Sequence, residues 1–178
     1  MTARHIFVDE TKEHGYILVA TVHIAADIDD LRKTLRDKFV LPGQNRIHMA
    51  KERDPRRRAI ADAICRAGVT ATIYDAGCRY RDPLDARAAC LQAIIDGLPP
   101  GEQTLIVLEQ DDSILRWDKK FLYNAVHAAG VASTVRYAHH RAKTELLLTV
   151  PDAIAWCWAR GGRWKDRVRP AVVDVKQV

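Results

Sequence analysis

The chain has 178 residues, 48% of them apolar and 29% charged, a length and balance that suit one globular domain, 1–178, and exclude disordered or fibrous classes. With 28 Lys and Arg against 23 Asp and Glu the net charge is +5, a mild excess that favours anionic partners without naming one. The opening "MTARHIFVDE" has charges where a secretory signal has an apolar core, and "LLLTVPDAIAWCWA" is too short for a span and contains Pro151 and Asp152. Four cysteines (Cys65, Cys78, Cys90, Cys157) form no CxxC pair, so they read as reduced thiols rather than a disulfide framework or zinc site. A cytoplasmic protein with no membrane partner is expected.

The first strand is expected over 5–9, and a second over 16–24 follows a turn at His14-Gly15, the spacing of a hairpin. Asp27 is placed to cap a helix over 28–39, where Ile28, Leu31, Leu35 and Phe39 recur at helical spacing. A loop with an extended piece around Ile47 leads to a helix over 55–67 closed by Gly68. A third strand over 69–77 precedes a helix over 82–97, with Asp82 as cap, Pro83 at its start and Gly97 at its end. Then come a strongly apolar strand (104–109), a helix (117–129), a fifth strand (132–140), a helix (144–160) ending at Gly161-Gly162, and a basic tail over 160–178. This order predicts a mixed α/β sheet with helices packed on it.

Two of these strands, "IFVDE" and "LIVLEQDD", are apolar runs that end abruptly in acids. Apolar runs without alternation suit central strands covered on both faces, and ligands gather at the carboxyl ends of parallel strands. If strands one and four are parallel neighbours, Asp9 and Glu109 meet at one edge and repel unless a cation sits between them. A third acid, Asp152, lies in the mostly apolar "LTVPDAIAW", where an unpartnered carboxylate is costly to bury. Oxygen ligands without a His/Cys cluster point to Mg²⁺ or Mn²⁺.

"FVDE", "RIHMAKER", "LIVLE" and "LTVPDAIAW" together resemble the RNase H-like family catalogued as domain of unknown function 3800, over about residues 5–160. Members open with a strand ending Asp-Glu-Ser-Gly, carry an Ile-His-Phe-like segment and close with an Ala-Asp-Leu-Ile-Ala-Gly-like helix. The resemblance implies an RNase H-like mixed five-stranded sheet with helices on both faces and a helical insertion after strand two. It also implies a carboxylate triad of Asp9, Glu109 and Asp152, closer to RuvC-type resolvases than to RNase H. Here "DETK" replaces Asp-Glu-Ser-Gly, and Pro151 replaces the usual Ala before the helix aspartate.

Glu10 points to the face opposite Asp9 and is read as a supporting residue rather than a ligand. Asp111 and Asp112 fit a solvated turn, Asp85 a helix start, and Glu145 lies too far along its helix from Asp152 to share an ion. Asp75 also ends a strand, but lies at the far edge if strand three runs against strand one. His48 is the candidate for orienting water or touching a scissile phosphate, with His139 and His140 as weaker analogues of a product-release histidine. Two basic clusters, 51–58 and 160–169, stand out; Arg163, Trp164, Lys165 and Arg167 in the second mix cations with an aromatic, as a stacking and electrostatic surface does. The expected function is metal-dependent hydrolysis of nucleic acid, DNA or RNA. The rivals are a non-catalytic RNase H-like module binding nucleic acid or protein, and a transferase or phosphatase acting on a small phosphorylated substrate.

Overall fold

The computed structural model describes residues 3–178. Its elements, in chain order, are β1 (Arg4–Thr11), β2 (Tyr16–Ile24), α1 (Ala25–Phe39), α2 (Asp54–Arg66), β3 (Thr70–Gly77), α3 (Pro83–Asp96), β4 (Thr104–Glu109), α4 (Leu115–Ala128), β5 (Val135–His140), α5 (Thr149–Arg160), α6 (Gly162–Val168) and β6 (Val172–Gln177). The sheet order is β5-β4-β1-β2-β3-β6. β1 and β2 form the expected hairpin, β3 pairs antiparallel to β2, and β4, β5 and β6 join in parallel.

Residue alternation on the strands sorts the core into two layers. Phe7, Val19, Ile73 and Val107 point to one face and pack under α1, α2 and α5. Val8, Leu18, Tyr74 and Leu108 point to the other and pack under α3 and α4. The central strands are therefore apolar on both sides, as the unbroken runs in β1 and β4 require. The α1–α2 pair between β2 and β3 is the expected insertion, and helices lie on both faces.

Several local expectations change. The sheet has six strands, not five: residues 160–178 do not trail away but turn through α6 and a 3-10 turn into β6, which pairs with β3. Asp27 does not cap α1, which begins two residues earlier without a side-chain cap; Asp27 sits in the first turn, where the helix dipole favours an acid. Asp82 does cap α3, accepting from Leu84 N at 2.8 Å. The last helix starts at Thr149 rather than 144, after a 3-10 turn over Leu146–Leu148 whose Leu147 N–H is bonded by the Glu145 side chain at 3.0 Å. Pro151 then falls in the first turn of α5, where its missing N–H removes no helical bond. Pro151 starts the helix and does not kink it.

Candidate active site

The parallel register of β1 and β4 pairs Val8 with Leu108, so the next residue of each strand, Asp9 and Glu109, emerges at the same sheet edge. Asp9 shares the face of Phe7, and that is the face α5 covers with Asp152 in its first turn. Three carboxylates from three elements thus lie near enough for Asp152 and Glu109 to act on Asp9 through their charge. Burial, reinforced by Asp152 and then Glu109, holds the Asp9 carboxyl well above the usual carboxylate range. Burial likewise raises Glu109 and Asp152. Asp9 keeps part of its surface open to solvent, but protein atoms and like charges surround it. The arrangement stores repulsion that a cation would relieve.

The segment between α1 and α2 closes over these acids. Met49 N donates to Asp152 Oδ2 at 3.0 Å, which fixes that carboxylate. His48 Nδ1 stands 3.9 Å from the same oxygen, and Arg46 Nη2 stands 3.7 Å from Glu109 Oε1. Arg46 Nε and His48 Nδ1 are buried without a hydrogen-bond partner, a costly state for polar atoms unless something else meets them. Arg46 was not singled out in sequence, although "RIH" placed it two residues from His48. A cavity of about 310 Å³ opens beside His48, Asp152 and Trp156. A second, of about 460 Å³, opens beside Asp9, Glu109 and Arg141.

Glu10 turns to the opposite face, as expected, and pairs with Arg87 of α3. Arg87 also grips Asp118 of α4 through two bonds of 2.7 Å, and Asp118 Oδ2 meets His139 Nε2 at 3.1 Å. His139 is therefore fixed inside a buried ionic network, not mobile near the acids; His140 is exposed. Sequence reading missed Arg87 and Asp118, though each is a lone charge on an apolar helix face. Asp111 and Asp112 are exposed and engaged by Ser113 and Arg141, Asp85 is an exposed first-turn acid, and Glu145 pairs with Arg32 at 2.9 Å. Because β3 runs antiparallel to β2, it runs in the direction of β1, so Asp75 lies at the same edge as Asp9 and not the far one. One strand, β2, separates them, and Asp75 is engaged by Gly77 N and Gln177.

The basic clusters fold against each other on the α5 face. Arg57 and Arg160 stack on Trp156 at 4.4 and 5.1 Å, and Lys165 lies 4.3 Å over Trp158. Trp164 packs edge-on to Trp156 with centroids 5.0 Å apart, and Arg167 is held by Asp62 at 2.6 Å. Arg163 is exposed.

Among the described residues, no group of three or more His, Cys, Asp or Glu side chains is arranged to hold a metal ion; the three carboxylates feel one another without closing on a common point. No helix of the described residues is long and apolar enough to cross a membrane. No family model matches the chain, and no curated protein matches it. Among solved structures it is similar to a chain in the PCNA:RNase HII complex from Archaeoglobus fulgidus, with a TM-score of 0.57 and 16% identity over 95% of this chain and 77% of that chain. The fold is RNase H-like.

Proposed function

We propose that the chain is a metal-dependent nuclease that hydrolyses phosphodiester bonds of DNA or RNA, with a cytoplasmic location suggested by its four free thiols. One observation supports the reading: the Asp9 carboxyl on β1 is raised first by burial and then by the charges of Asp152 on α5 and Glu109 on β4. The donor set is all oxygen, which suits Mg²⁺ or Mn²⁺, and these three residues would hold the ion or ions. When bound, the metal would lower the pKa of an attacking water and offset charge on the leaving oxygen.

The chain's own residues supply the rest. Met49 N fixes the Asp152 carboxylate. His48 stands where a ring nitrogen can orient a water or meet a phosphate oxygen. Arg163, Trp164, Lys165 and Arg167 lie on the face that continues from the acids through Trp156 and would contact the strand, Arg163 most directly since Arg167 is engaged by Asp62. The likeness to an RNase HII supports this reading at the level of the fold. Cleavage of a panel of single- and double-stranded DNA and RNA with Mn²⁺, lost in Asp9→Asn, tests it.

A second reading, a non-catalytic module binding nucleic acid, rests on the absence of a ready-made ion cage among the described residues and on Arg46 and His48 standing against two of the acids. Binding without cleavage under any divalent ion would select it.

A further inference from the structure

We infer that Arg58 of α2 and Arg163 of α6 form a subsite for one backbone phosphate of a nucleic-acid strand. They face a cavity of about 140 Å³ at the α2–α6 seam, lined also by Asp54, Trp164 and Arg167. Two of those charges are already committed: Asp54 to Arg57 at 2.8 Å, and Arg167 to Asp62 at 2.6 Å. Arg58 and Arg163 are exposed and, among the described residues, have no such partner. Both guanidiniums therefore line one small cavity without an ion-pair partner among the described residues. A planar guanidinium offers paired donors that match phosphate oxygens, so a phosphate is the ligand this geometry favours.

The pocket connects to the acids through contacts already described. Trp164, on its wall, meets Trp156, and Trp156 lines the cavity shared by His48 and Asp152. Arg57 and Arg160 sit on Trp156 along the way. A strand lying on this path would place one linkage at the acids and another between Arg58 and Arg163. The identity of the ligand as a strand rests on the nuclease reading; the pocket's preference for phosphate does not.

The test is binding of a fluorescein-labelled single-stranded oligonucleotide in EDTA, where no metal-dependent cleavage intervenes. Arg58→Gln/Arg163→Gln should lower the log–log salt slope by about 1–2 and weaken low-salt binding roughly tenfold. Its melting temperature should match wild type, because both side chains are exposed and unpartnered among the described residues. Lys119→Gln/Lys120→Gln on α4, a loss of equal charge on the other face, should leave the slope unchanged. Neutral methylphosphonate placed at each linkage in turn should weaken wild type at one position where the double variant is indifferent. An unchanged slope in Arg58→Gln/Arg163→Gln, an equal drop in the α4 control, or no binding by wild type would overturn the subsite. A marked preference for a 5′-phosphorylated strand would also overturn it, by moving the ligand from the backbone to a strand end. Binding through the pocket without Mn²⁺-dependent cleavage would sink the nuclease reading alone, and cleavage with an unaltered slope would sink the subsite alone.

Discussion

The main-chain N–H of Met49 donates to Asp152 Oδ2 at 3.0 Å and so ties the insertion between α1 and α2 to the first turn of α5. His48, one residue earlier, is carried by the same tie to within 3.9 Å of that oxygen. The bond that places His48 is a backbone bond, so the side chain can be removed without releasing the segment. His48→Ala should lower kcat by roughly a hundredfold or more while leaving Mn²⁺ affinity and melting temperature near wild type. An unchanged kcat would reduce His48 to a loop residue.

Asp9 is destabilising while ionised. Its carboxyl is raised by burial and by Asp152 and Glu109, so the folded state resists the charge that neutral pH imposes, and that cost disappears as pH falls through the raised value. Asp9→Asn should therefore raise the metal-free melting temperature near pH 7.5 by about 2–4 °C for each kcal/mol of relief. The gain should shrink in acid. Mn²⁺ should stabilise wild type and fail to stabilise the variant, because the linked binding is gone. Equal Mn²⁺ shifts in both proteins would place the ion elsewhere.

Arg87 is 5% exposed and Asp118 1%, and Glu10 adds a second carboxylate to the same guanidinium. Removing one partner of a buried pair leaves the other charged and desolvated, at a cost of about 3–5 kcal/mol. Arg87→Met should lose that much stability in urea unfolding, whereas Arg4→Met, at the half-buried but solvent-accessible Arg4–Glu102 pair, should lose about 1 kcal/mol or less.

His23 reports pH at the opposite end of the sheet. Burial, with His5 beside it, lowers its pKa to about 4. A lowered histidine contributes no penalty above the unfolded value near 6.5, and the penalty grows as pH falls from there toward 4. Between pH 7.5 and 5 wild type should lose about 2 kcal/mol that His23→Gln retains. Parallel pH–stability curves for the two proteins would contradict this.

The region after Gly162 cannot be removed as a tail. Val168 and Ala171 are 0% and 2% exposed, and β6 pairs along β3. Truncation there should cause cooperative folding to be lost. Trp164→Ala, which empties a half-buried site against Trp156, should cost about 2 kcal/mol, below the 3–5 typical of a fully buried aromatic, and should weaken single-stranded ligands more than duplex. Circular dichroism and binding of both ligand forms separate the two effects.

Asp9, Glu109 and Asp152 were legible because each is a charge set against an apolar run, and the physics of burial makes such a charge conspicuous in sequence. By the same rule Arg87 in "DPLDARAACLQAIIDG" and Asp118 in "LRWDKKFLYNAV" could have been flagged as charges on apolar helix faces; that they pair with each other follows only from tertiary packing. β6 was hidden differently. Its "VVDVKQ" is rich in β-branched residues, but Val173 and Val175 stay exposed at 65% and 42%, so no alternation marks it. Its partner β3 lies about a hundred residues back. The direction of β3, and with it the position of Asp75, depends on a hairpin-like return after the insertion that local pattern does not encode.

Asp9 and Glu10 are neighbours on one strand with opposite obligations, the first to the acid centre and the second to Arg87. Sliding β1 by a single residue would hand Glu10 to the centre and Asp9 to the arginine, while Phe7 and Val8 exchanged cores. The strand is thus a two-sided key whose two edges are cut to one frame. A one-residue insertion or deletion between Arg4 and Asp9 would disturb the acid cluster and the buried Arg87 network together, and no substitution on one face could repair the other.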